Sequence, residues 1–420
     1  MTFAACSREL PPAWRAWVVS HHHPLRSLTD TVDLSDLAVL DDLVSGRRIV
    51  QLGENGHGVA EFNQIKVRII RYLHERLGFN VVAFESNFFA CLDVDDRITG
   101  LPVASGPQAG CPTGVWHTDE VLSLLSYAEH TRLSSAPLHI VGFDIIPAPG
   151  LRRQGEYFRR LIQPVNPSYA AAVARFDSTN VDRLLAEDSA HVVRNEDRMV
   201  ATYQELATFF AAEGRHRRSD SDHAVQWSRA AQAARSMAAF VQVGAADLED
   251  HHGGAAAYLR DSAMAANLVH LAEEVFPKDR IVVWAHNGHV RNGGERVTPF
   301  RAKSMGQWLV EWNRAQVFTL GLFMAAGTAS NNNGRVYDVE PPGARDLESI
   351  LRSAGPAWHM LDLSTPRQPG TEWAYAPRIA RRDGTREERF VPAEQYDAVL
   401  FVETVTPARR RHLGAPSDAR

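Results

Sequence analysis

Four short apolar runs, each closed by ionisable residues, constrain this chain more than any other feature. Residues 48–52 run into Glu54 and His57, residues 81–84 into Glu85, residues 138–143 into Asp144, and residues 280–285 into His286 and His289. Helical periodicity fills the intervals. After the first run, Phe62, Ile65, Ile69, Leu73 and Leu77 recur every three or four residues and form one apolar stripe. Lys66, Arg68, Arg71 and Glu75 fall largely off that stripe. Wholly apolar runs of this length suit strands buried on both faces, and their alternation with helices predicts an α/β fold with a parallel or mixed central sheet flanked by helices. Parallel strands bring their carboxyl ends to one edge, where such folds hold ligands.

A chain of 420 residues exceeds one minimal core, so one large domain with an insertion, or two domains, is expected. From 151 to 276 the strand signals vanish, and helices are predicted over 173–185, 191–213, 224–243 and 258–274, with polar breaks at 214–222 and 244–254. The expected organisation is a first part of the α/β core over 1–150, a helical subdomain over 151–276 above the cleft, the rest of the core over 277–405, and a disordered tail over 406–420. Residues 99–114, rich in Gly and Pro, read as a long loop. Two late strands, 317–324 and 398–402, are separated by irregular sequence, and His21-His22-His23-Pro24 reads as a solvated turn.

A net charge of −5 argues against a nucleic-acid-binding surface. Cys6, Cys91 and Cys111 make no disulfide framework and show no metal spacing, which suits a reducing cytoplasm. The first residues lack the pattern of a signal peptide, and no run of about 18 apolar residues could span a membrane. The expectation is a cytoplasmic protein acting on a small molecule, without nucleic-acid or membrane partners. Its oligomeric state is not legible.

The stretch Gly53-Glu54-Asn55-Gly56-His57-Gly58 places a carboxylate and an imidazole three positions apart in a turn after the first strand. A histidine held by a carboxylate is a general-base arrangement, and a second histidine or a cation can stabilise an oxyanion. The nearest approach to a serine-nucleophile motif is residues 302–306, but no apolar strand runs into it, so Ser304 reads as a helix N-cap. Directly activated water is therefore expected. His57, Glu85, His286 and His289 also have the ligand types of a zinc site, but not a recognised spacing. No metal and no cofactor are expected. Neither a P-loop nor a G-x-G-x-x-G follows the first strand.

Taken together, these residues resemble the erythromycin esterase family. The resemblance is carried by residues 53–58 with Glu61 and Lys66, and by Ala83-Phe84-Glu85, at the family's interval from His57 (85 − 57 = 28). It continues in Gly142-Phe143-Asp144, Arg260-Asp261 with Met264 and Asn267, residues 284–290 (Trp-Ala-His-Asn-Gly-His-Val), and Ser304-Met305-Gly306. These motifs run in the family's order from about 45 to 405.

The resemblance implies a mixed α/β core under a helical subdomain, and hydrolysis of a macrolide lactone without a required metal. By position it makes His57, Glu85, His286 and His289 catalytic, with Glu54. It makes Lys66, Arg260, Asp144 and Trp116 the expected substrate contacts. Two departures lie where substrate would be shaped. Gly56 replaces the Ser or Thr often found before the motif histidine, and residues 125–130 lack the usual tryptophan–arginine–asparagine ending. The expected activity is thus cleavage of an ester or macrolactone of a polyketide-like natural product, in antibiotic resistance or biosynthesis. The alternatives are non-hydrolytic acid/base chemistry on a biosynthetic intermediate (dehydration, cyclisation or acyl rearrangement), and a binding protein that sequesters a macrolide or haem.

Overall fold

The computed structural model describes residues 9–29, 31–92, 111–216, 221–249, 254–299 and 301–411. Most of the loop expected over 99–114 lies outside the described residues, as do His251, His252 and residues 412–420. In chain order the strands are β1 (His22–Pro24), β2 (Ile49–Leu52), β3 (Phe79–Asn87), β4 (His139–Asp144), β5 (Arg280–Trp284), β6 (Val317–Ser330), β7 (Val336–Asp338), β8 (Trp358–Asp362), β9 (Arg378–Arg382), β10 (Arg386–Phe390) and β11 (Ala398–Val405). The fold is mixed α/β with helices flanking the strands. The described residues form two compact units, one of 9–80, 115–138 and 280–411, the other of 81–92, 111–114 and 139–279.

In the first unit the strand order is β1-β8-β11-β6-β2-β5, with β7 paired to β6. The neighbours β11, β6, β2 and β5 run parallel, whereas β8 and β1 are added antiparallel. All four residues of β2 are buried, as a strand covered on both faces requires. The following helix, Ala60–Leu77, ends at Gly78, whose backbone is left-handed. This helix is buried nearly all round. Lys66 and Arg68, expected off the stripe, are 0% and 1% exposed. Each is buried because it is paired: Arg68 donates to both carboxylate oxygens of Asp36 at 2.7 and 3.2 Å and to the Asp33 carbonyl at 2.8 Å.

Three expectations for this unit are corrected. The sequence between the late strands is not irregular: it contains β7, β8 and the β9–β10 hairpin, whose Arg- and Glu-rich strands carry little apolar alternation. His22–Pro24 is not a turn but an edge strand on β8. Residues 406–411 are not a disordered tail. Ala60 N–H donates to the Thr406 carbonyl, Ala408 N–H to the Gly58 carbonyl, and Arg411 N–H to the His117 carbonyl, while Thr406 donates twice to Glu61.

In the second unit β3 and β4 run parallel, pairing Val81 with His139 through Phe84 with Gly142. The helices expected over this stretch are present and longer, Pro167–Leu185, Ser189–His216, Ser221–Glu249 and Gly254–His270, the last continuing into a π-helical turn, Leu271–Val275. The predicted breaks start too early, since Gly214 and Gly244 lie inside helices. Phe158, Phe210, Tyr203 and Trp227 form its aromatic core. The cysteine reading is also corrected: Cys91 and Cys111 form a disulfide with Cα atoms 5.0 Å apart. Twenty residues apart in sequence, the two gave no recognisable spacing. The pairing removes the cysteine-based argument for a reducing compartment. Among the described residues no helix is long and apolar enough to cross a membrane.

Candidate active site

In the first unit the turn after β2 is held by close backbone approaches. A Cβ at Gly53 would lie 2.0 Å from Asn287 Oδ1, and one at Gly58 would lie 2.0 Å from the Ser330 carbonyl oxygen, so neither position accepts a side chain. Asn287 locks the same turn to β6: its N–H donates to the Glu54 carbonyl, its amide donates to the Leu322 carbonyl, and its Oδ1 accepts from Leu322 N–H.

This frame fixes a fully buried Glu54 with four donors. Oε1 accepts from His57 Nδ1 at 2.6 Å and Trp116 Nε1 at 3.2 Å; Oε2 accepts from Lys66 Nζ at 2.6 Å and Trp284 Nε1 at 3.1 Å. Lys66 Nζ also lies 4.7 Å from the centre of the Trp284 ring. Burial pushes the Glu54 carboxyl up, but the Lys66 charge and the His57 bond outweigh it, and Glu54 is held below the ordinary glutamate value. A buried carboxylate thus stays ionised behind His57. Lys66 and Trp116, expected at the substrate, are 0% and 1% exposed and face Glu54.

His286 follows β5, with its ring centre 5.2 Å from that of His57. Its Nδ1 accepts from Gly288 N–H at 2.9 Å, and its Nε2 lies 3.1 Å from Asp383 Oδ1. With Nδ1 an acceptor, the proton of the neutral ring sits on Nε2 and is donated to Asp383. Burial lowers the His286 imidazole to about 4, against the Asp383 contact that favours the charged form. Asp383 stays ionised despite its own burial, through the His286 bond and the Arg386 and Arg382 guanidinium groups. His289 lies in the Asn287–Val290 turn, half-buried, and its N–H donates to the His286 carbonyl.

Asp383 escaped the sequence reading. It opens the β9–β10 turn with φ 53, followed by Gly384 at φ 71. Asp383-Gly384 is a strong hairpin signal, and it was the only readable one there, because the adjoining strands are mostly charged. Asn55 also binds this hairpin, through its amide and the Arg381 carbonyl.

The second unit holds the remaining sequence candidates. Arg260, on the Gly254–His270 helix, grips Asp144 with two bonds, Nε to Oδ1 at 3.1 Å and Nη2 to Oδ2 at 2.7 Å. Its Nη2 also donates to Glu85 Oε1 at 3.0 Å. Although burial opposes its charge, Asp144 and Glu85 hold the guanidinium firmly protonated. Asn267, one helical face along, donates to the Phe143 carbonyl and accepts from Gln232 and Ser236, which anchors that helix to β4. Glu54, His57, Lys66, Trp116 and His286 thus meet in one unit, and Glu85, Asp144 and Arg260 in the other. Among the described residues no three His, Cys, Asp or Glu side chains are grouped so as to hold a metal ion.

The profile of the erythromycin esterase family matches residues 74–405. The chain is 30% identical to YbfO of Bacillus subtilis (strain 168), a protein provisionally named a hydrolase, over 94% of this chain and 92% of that protein. Among solved structures, a succinoglycan biosynthesis protein superposes with a TM-score of 0.76 at 18% identity, covering 95% of this chain and 98% of the other. A mutant of the erythromycin esterase EreC in its open conformation superposes with a TM-score of 0.69 at 18% identity, covering 93% and 99%.

Proposed function

The chain belongs to the erythromycin esterase family, and from that premise we propose that it hydrolyses an ester or macrolactone of a polyketide-like natural product, with His57 as the base that activates water. Family membership and the relative named as a hydrolase support hydrolysis as the reaction type. The observation that carries the mechanism is the His57–Glu54–Lys66 relay. A base of this kind needs one ring nitrogen held by an ionised group and the other turned to the reaction. His57 meets the first condition through Nδ1, so its proton exchange runs through Nε2.

In the step proposed, water loses a proton to His57 Nε2 while its oxygen bonds to the acyl carbon, and the carbonyl electron pair moves onto oxygen. The imidazolium lies against Glu54, whose charge Lys66 preserves. Collapse of the tetrahedral adduct breaks the acyl–oxygen bond, and the His57 proton goes to the leaving alkoxide. His286 is assigned a supporting role, because its ring proton is donated to Asp383 and its Nδ1 accepts from Gly288. The resemblance keeps Glu85 and His289 in the catalytic set and Arg260 and Asp144 beside the substrate.

The test is incubation with a panel of macrolides and related lactones, with and without chelator, read by product mass. A gain of one water from a lactone is expected in both arms. Products of unchanged mass, or lighter by one water, would move the assignment to cyclisation, rearrangement or dehydration. Stoichiometric capture without product would make the protein a binder, and loss of activity on chelation restored by zinc would make it metal-dependent.

A further inference from the structure

Acyl hydrolysis needs a donor for the oxygen that becomes negative in the tetrahedral adduct. The two cations expected at the substrate, Lys66 and Arg260, are both committed. Lys66 is completely buried against Glu54, and Arg260 holds two carboxylates in the other unit. His286 spends its one proton on Asp383. The first unit therefore has a base with a built support, and its oxyanion donor has to come from another group.

We propose that Tyr337 is that donor, its phenol O–H taking the place of the hydroxyl that Gly56 lacks beside His57; this rests on the hydrolase reading above. A Cβ at Gly56 would lie 3.7 Å from the Tyr337 hydroxyl oxygen and 3.4 Å from Met324 Cε. The phenol oxygen from β7 thus lies within van der Waals contact of the position that a serine or threonine Cβ at 56 would take. Tyr337 is held there by the antiparallel pairing of β7 with β6, opposite Ala329. Its ring is half-buried, and among the described residues none is hydrogen-bonded to its hydroxyl. Burial and the nearby Asp383 charge push the phenol up to about 12, so it is a neutral donor at any pH where His57 can work as a base. A neutral O–H next to position 56 can donate to an oxyanion without competing for the proton from water, and that donation has to outweigh the repulsion of the nearby Asp383 charge. Glycine at 56 and tyrosine at 337 then form one compensated pair. The departure from the family pattern changes which residue supplies the hydroxyl and keeps the hydroxyl itself.

The experiment measures steady-state hydrolysis of p-nitrophenyl butyrate and erythromycin by the wild type, Tyr337→Phe, Gly56→Ser, the double variant, and His57→Ala as the reference for a lost base. Tyr337→Phe is expected to lower kcat about a hundredfold with KM within about threefold, the scale for removing one oxyanion donor. Gly56→Ser fits the available space, and in the double variant its hydroxyl should restore at least about tenfold of that loss. Wild-type kcat in Tyr337→Phe overturns the proposal. So does a loss that Gly56→Ser does not relieve while the melting temperature is unchanged. Should Tyr337→Phe melt lower, an undiminished rate in Gly56→Ser with rescue in the double variant still supports the hydroxyl's role, and no rescue rejects it. If the wild type hydrolyses neither these two esters nor any lactone of the panel above, the hydrolase reading has failed and the donor role goes with it.

Discussion

Two charge clusters, one in each unit, use the same materials and arrive at opposite behaviour. Around Glu54, one carboxylate is shared by a lysine, two indoles and an imidazole. Around Arg260, one guanidinium is shared by two carboxylates. The first cluster includes an imidazole, whose ring nitrogens can take up and release a proton. The second contains no imidazole: its cation is an arginine, which does not deprotonate, held between two carboxylates. A cation held by carboxylates can therefore serve a proton relay or a rigid clamp, and the presence of an imidazole decides which.

The sharpest way to break this contrast is to remove one group from each side. His57→Ala and Glu85→Gln are each expected to cost at least about a hundredfold in kcat, the usual scale for a lost acid/base or positioning group in a site. Their pH profiles should differ. His57→Ala should flatten the acid limb of the rate profile, because the titrating base is gone. Glu85→Gln should keep that limb at a lower plateau. A flattened limb in Glu85→Gln would make Glu85 a titrating partner and dissolve the distinction.

Lys66→Met probes the relay from behind. Glu54 is held below its ordinary value only because Lys66 and His57 outweigh its burial, so without Lys66 its carboxyl rises. In the wild type the contribution of a depressed carboxyl is present above the unfolded value and lost as pH falls. In Lys66→Met that loss should begin at higher pH, moving the acid limb of activity toward neutrality. Breaking a buried pair costs about 3–5 kcal/mol, which chemical denaturation would register. An unshifted acid limb would mean that Lys66 does not govern the ionisation of Glu54.

How far the sequence foretold these clusters follows from what each depends on. The strand-end positions of Glu54, Asp144 and His286 were legible because buried strands write themselves as apolar runs, whereas β3 runs past Glu85 to Asn87, polar residues that the apolar run 81–84 did not include. Lys66 was misplaced, since its helix position falls off the apolar stripe and only its tertiary partner explains its burial. Asp383 was missed because β9 and β10 are mostly charged and carry little apolar alternation, leaving the Asp-Gly turn as their one local sign. The disulfide depends on two residues brought to 5.0 Å by the fold, which no spacing rule records. Periodicity reports burial of a face; it cannot report which charge is buried beside which.

Asp383→Asn should have a smaller effect than the changes at Glu54 and its partners. The amide still accepts the His286 Nε2 proton but no longer carries a charge. Since Asp383 is the group that favours the charged ring, His286 should stay neutral to still lower pH than its present value of about 4. A fall in kcat of about tenfold or less is expected if His286 supports the site as a neutral group. A loss as deep as that of His57→Ala would instead make the charged His286–Asp383 pair part of the proton transfer. An NMR titration of the His286 ring, bracketing pH 3 to 7, would check the sign independently.

The smallest effect is expected at a residue outside both clusters, and it concerns stability alone. Asp177 in the helical unit is fully buried and accepts from Gln154 Nε2 at 2.8 Å and Tyr203 O–H at 3.0 Å. Among the described residues, neither its Oδ2 nor the Gln154 Oε1, both buried, has a hydrogen-bond donor. A proton on the carboxyl would serve both, and burial indeed raises Asp177 to about 7, against the two bonds that lower it. Because the folded value lies above the ordinary 3.8, the stabilisation is complete below that pH and drains away between there and about 7. Asp177→Asn keeps a donor at that position at every pH. It should therefore raise the melting temperature at pH 8 relative to wild type, leave it nearly unchanged at pH 4, and not alter kcat. An equal shift at both pH values would show that Asp177 does not hold a proton in the folded protein.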